Sequence, residues 1–117
     1  MSINQKIVAD WLQLRNLLKE RFDKKPDLNG VLYIIGIQEL GKLQTEFSKE
    51  EKQDIMHVAT CAILVEEGYF KRLGKDAEGW PIFEKLKSTP VLRTLREQED
   101  FLRERAIKYF KNIGYLS

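Results

Sequence analysis

The 117-residue chain predicts a mainly α, compact, four-helix-bundle-like domain with a short β-hairpin or irregular excursion before its last helix. Three observations carry that expectation. Apolar residues recur three and four apart through four long segments. Ser48 and Glu51 have the spacing of a capping box ahead of one of them. A single stretch rich in glycine and aromatic residues, GYFKRLGKDAEGWPIFEKLKSTP, interrupts the helical rhythm. The length is that of one domain, residues 1–117, large enough to bury a core.

The first helix is expected from about Asn4 to Phe22, where Ile7, Trp11, Leu14, Leu18 and Phe22 share one face and Val8, Leu12 and Leu17 widen it. Pro26 disfavours a helical Lys25, and Asp27 is placed to cap the next helix. The second helix, about Leu28 to Leu43, is apolar nearly all round until Gln38 and belongs in the middle of the fold. Its β-branched run also fits a buried strand, but Leu32, Ile35, Glu39 and Leu43 continue at helical spacing for longer than an average strand. Gly36 lowers helix propensity there, which points to a close helix contact.

The third helix starts after Ser48, with Phe47 in the position of a hydrophobic staple, and is expected to run to about Glu67 before Gly68. Ile55, Val58, Ala59, Ala62 and Val65 form its buried face. In the excursion, Asp76 to Gly79 is turn chemistry between two flanks able to pair as a hairpin, with Pro81 confining its strand to an edge. Trp80 and Phe83 are expected to fold it back onto the helices. The last helix is read from Ser88 or Thr89, with Pro90 at the first position, to about Ile113. Leu92, Leu95, Leu102, Ala106, Tyr109 and Ile113 would line its apolar face, broken at Glu99.

The segments VLYIIGIQELGKL, FSKEEKQDIMHVATCAIL, GYF and DAEGWPIFEKL resemble the recurrent segments of a small family of uncharacterised Bacteroidetes proteins. The similarity covers roughly Trp11 to Phe110 and is most specific in the middle segments. It implies a bacterial cytosolic protein of this length. It implies no activity, and no functional residue is carried over from it.

Composition excludes several classes. The longest apolar run, VLYIIGI, is too short to cross a bilayer, which needs about 20 residues. Lys6 and Asp10 fall where a secretory signal needs an unbroken apolar stretch, so a cytoplasmic location is expected. One cysteine permits neither an internal disulfide nor a thiolate-rich zinc site. The net charge is +2, with nine Lys/Arg against eleven Asp/Glu to Phe70 and eleven against seven beyond it. That asymmetry suits attraction between copies as well as it suits an anionic partner.

The chain's only histidine and only cysteine lie on the third helix, in the series Glu50, Asp54, His57 and Cys61. Offsets of zero, four, seven and eleven put all four on one narrow arc. Asp54 and His57 also have the carboxylate-x-x-His spacing of four-helix di-iron proteins. Those proteins carry the motif twice, so a metal site here would need a dimer, with Glu39 the obvious further ligand: a set of Glu39, Asp54 and His57. The simpler reading is a polar helix edge with Cys61 at the core boundary. Glu50, Asp54, Glu66 and Glu67 around Cys61 disfavour a thiolate, and two neighbours on one regular helix offer no oxyanion pocket. No catalytic residue and no cofactor is assigned.

A hairpin after helices also suits a winged-helix nucleic-acid binder, with Lys71, Arg72 and Lys75 as the wing. The segment in the recognition position, Ser48 to Glu67, carries two lysines against five carboxylates, and a phosphate backbone would repel it. Nucleic acid is therefore not the expected partner. The basic residues of the last helix alternate with acids, as on a solvated face. The expected function is that of a non-enzymatic protein–protein interaction or self-association module, a homodimer, with a dimeric metal protein or a weak winged-helix-like nucleic-acid binder as the alternatives. It rests on the missing catalytic set and on aromatic residues, Trp80, Phe83, Tyr109, Phe110 and Tyr115, beyond the needs of a small core.

Overall fold

Four helices and one antiparallel hairpin are present in the computed structural model, which describes residues 2–42 and 46–116. In order they are α1 (Ser2–Phe22), α2 (Leu28–Leu40), α3 (Lys49–Ile63), β1 (Phe70–Lys75), β2 (Pro81–Lys85) and α4 (Leu95–Asn112). No helix among the described residues is long and apolar enough to cross a membrane. The chain divides into two compact units. One is discontinuous, made of residues 1–31 and 92–117, and the other is residues 32–91.

In the discontinuous unit, α1 packs against α4. Leu14 and Leu18 of the predicted stripe are buried, whereas Val8, Leu12 and Phe22 are exposed, so the apolar face is narrower than its composition suggests. The buried face of α4 is Ala106, Ile107, Tyr109 and Phe110. Leu95 and Ile113, expected on that face, are exposed instead. The Phe110 ring meets Tyr109 edge-on and Tyr115 at a tilt, each with centroids 5.5 Å apart. Aromatic pairs of this geometry add about 0.5–1.5 kcal/mol to their burial. At the rim, Lys111 Nζ donates to Asp10 Oδ2 at 2.9 Å and the Arg103 guanidinium lies over the Trp11 ring.

The start of α4 corrects the sequence reading. The chain from Leu86 to Arg93 is not helical, and the cap is Thr94. Its hydroxyl accepts from Glu97 N at 3.0 Å while Glu97 Oε1 accepts from Thr94 N at 3.1 Å. Ser88 and Thr89 have no carboxylate three residues on, and Pro90 disfavours a helical Thr89. The reciprocal pair at Thr94 satisfies two N–H groups that a start at Pro90 would leave open.

In the second unit, α2 and α3 meet at Gly36. A Cβ added there would fall 2.3 Å from the Ile55 carbonyl oxygen and 2.5 Å from its Cγ2. Only a residue without a side chain permits that approach. Ser48 caps α3 as expected, its Oγ accepting from Glu51 N at 3.1 Å and Glu51 Oε1 accepting from Ser48 N at 2.8 Å. The N4 position is Lys52, so Phe47 faces no apolar staple partner there. Two boundaries differ from expectation. Helix α2 ends at Leu40, where Gly41 takes φ +66°; Leu43 lies outside the described residues. Helix α3 ends at Ile63, because Leu64 and Val65 already donate to carbonyls three residues back and tighten the chain into turns.

The excursion is a hairpin. β1 and β2 pair Phe70 with Lys85, Lys71 with Glu84, Arg72 with Phe83, Gly74 with Ile82 and Lys75 with Pro81, with a bulge between Arg72 and Gly74. Its turn is held by Asp76, whose Oδ1 accepts from Glu78 N and Trp80 N, both at 2.9 Å. The hairpin is tied to α2 from one side: Arg72 makes a bidentate ion pair with Glu39 and lies over the Phe83 ring.

Candidate functional site

Along α3 the four-residue arc runs from solvent into the core. Glu50, Asp54 and His57 are exposed and Cys61 is buried, with 1% of its surface accessible. His57 Nε2 and Cys61 Sγ are 3.5 Å apart, a weak hydrogen bond at i, i+4. Burial pushes the Cys61 thiol pKa up. The sequence also leads one to expect a protonated thiol, but through neighbouring carboxylates. The cause is loss of hydration, which penalises the thiolate. A buried thiol held protonated is a poor nucleophile at neutral pH.

Asp54, His57 and Val58 form one wall of an open cleft of about 290 Å³. Asp76, Glu78, Trp80 and Pro81 of the hairpin turn form the other. The Lys42 ammonium lies over the Trp80 ring, 5.6 Å from its centroid. Asp76 spends one carboxylate oxygen on the turn it caps. The cleft thus has a carboxylate rim and an indole wall. Glu39 does not line it; its carboxylate is held by Arg72. Among the described residues of one chain no three His, Cys, Asp or Glu side chains are grouped so as to hold a metal ion, so a single chain does not bring Glu39, Asp54 and His57 together.

The contact of Arg72 with Glu39 is invisible in the sequence, since the two lie 33 residues apart with no local signal linking them. It also changes the charge of the hairpin. Of the three basic residues in the expected wing, Arg72 turns to α2. The aromatic residues also divide: Trp80 lines the cleft, Phe83 sits beneath Arg72, and Tyr109 and Phe110 are core. No family model, curated protein or solved structure matches this chain.

Proposed function

We propose that the chain is a non-enzymatic cytosolic module whose role is protein–protein contact, including self-association as a dimer. The observation that supports this reading is the outward side of the hairpin. Ile82 and Leu86, which alternate with Phe83, are 40% and 53% exposed, and Leu73 at the bulge is 52% exposed, while Phe83 lies on the side occupied by the Arg72 and Glu39 contacts. Apolar side chains gathered on one exposed surface favour burial against another protein, at about 25 cal/mol per Å² removed from water. The aromatic residues of α4 give no support to this reading, because Tyr109 and Phe110 are spent inside the fold. Sedimentation velocity at micromolar concentration tests it: a dimer is the expected result, and a monomer up to high concentration removes the self-association part of the proposal.

A further inference from the structure

The two edges of the hairpin are not equivalent. The sheet has two strands, and no backbone hydrogen bond links Phe83 or Lys85 to a third strand among the described residues. Leu86 N donates to Tyr69 O at 2.8 Å, which fixes the alternation along β2. Glu84 and Leu86 turn their backbone groups toward β1, and Phe83 and Lys85 turn theirs outward. The side chains alternate too, leaving Ile82, Glu84 and Leu86 on the exposed side.

The outer edge of β1 belongs to a strand with Lys71 and Lys75 and no acid, its Arg72 being paired with Glu39, so a copy of itself is repelled. β2, PIFEK, carries one acid and one base. The geometry points to a specific occupant: β2 of a second copy of this chain, added antiparallel about a two-fold axis through Glu84. This rests on the self-association reading and names its surface. In that register Phe83 faces Lys85 of the copy, so the outward N–H and C=O groups exchange four hydrogen bonds. Ile82 faces Leu86 of the copy twice, and both apolar residues leave water. Centring the axis on Phe83 instead would oppose Lys85 to Pro81, which has no N–H to give. Glu84 meets its own copy at the axis, each beside its cross-strand neighbour Lys71. That like-charge pair weakens the dimer and keeps it reversible.

Two variants test this in the full chain. Residues facing across the axis as a non-hydrogen-bonded pair have Cα atoms about 4.5 Å apart, within disulfide reach. Glu84→Cys should therefore oxidise to a covalent dimer, while Lys71→Cys, about 14 Å from its copy across three strand spacings, should not. Cys61 is buried and stays out of the reaction. Lys85→Pro removes only an outward N–H and should raise the dimer dissociation constant at least about tenfold. Lys85→Ala keeps the N–H and should stay within about threefold, and Glu84→Gln should tighten the dimer. Circular dichroism matching the parent certifies each fold. A parent dimer whose Glu84→Cys variant does not cross-link, and which Lys85→Pro leaves intact, overturns the β2 edge while self-association stands. A monomeric parent overturns both.

Discussion

The α1–α4 contact and the α2–α3 contact solve the same problem with opposite means. The first joins helices through large side chains, with Leu14, Leu18, Tyr109 and Phe110 buried and an Asp10–Lys111 ion pair at the rim. The second brings a helix backbone against another helix at Gly36, where the nearest atom is a main-chain carbonyl. A side-chain seam stores its stability in volume, so it fails when atoms are removed. A backbone contact stores it in proximity, and fails when atoms are added.

Removing the Phe110 ring should have the largest effect. Phe110→Ala leaves Tyr109 and Tyr115 facing a cavity and should cost about 3–5 kcal/mol in denaturant unfolding. Gly36→Ala adds one carbon and should still cost about 1–3 kcal/mol, since the clash is with backbone and not a flexible side-chain end. If Gly36→Ala were neutral, the helices would have room to part and the contrast between the two contacts would collapse.

The helix starts sharpen the comparison, because here the two regions use the same chemistry. Ser48→Ala and Thr94→Ala each remove a capping-box hydroxyl and should each cost about 1 kcal/mol. Amide exchange resolves them: faster exchange should be confined to the first turn of α3 in one variant and of α4 in the other.

The smallest effect is expected at Cys61. Its folded pKa is raised, so the native state holds the proton more tightly than the unfolded chain. That contribution is intact below the ordinary thiol pKa of 9.0 and is lost as pH rises above it. Urea melts between pH 7 and 10 should show a slope in the parent that Cys61→Ala lacks. In the native state at pH 7.5 the thiol should react with a soluble disulfide reagent only through opening of the fold.

Much of the molecule is legible residue by residue. Ser48 and Glu51 announce a helix start because a capping box is closed within four residues. The same pattern stands at Thr94 and Glu97, but Pro90 draws the reading upstream: a proline permits a first turn without supplying the hydrogen bonds that begin one. Gly36 signals a close approach, though not that Ile55 is the partner. The candidate site divides in the same way. Spacing puts Asp54, His57 and Cys61 on one arc of a helix, yet cannot tell that the arc turns from solvent into core along its length.

The features settled by sequence are local: four helices, one hairpin, the Ser48 cap and the turn at Asp76 to Gly79. Each is set by groups a few residues apart, whose hydrogen bonds and steric limits close without the rest of the chain. Tertiary packing alone settles which apolar residues are used. Exposure of Val8, Leu95 and Ile113, burial of Cys61, the hold of Arg72 on Glu39 and the Asp54–Trp80 cleft all depend on which segment lies opposite. Hydrophobic burial is non-directional, so an apolar stripe states that it needs a partner, and only the packed chain supplies one.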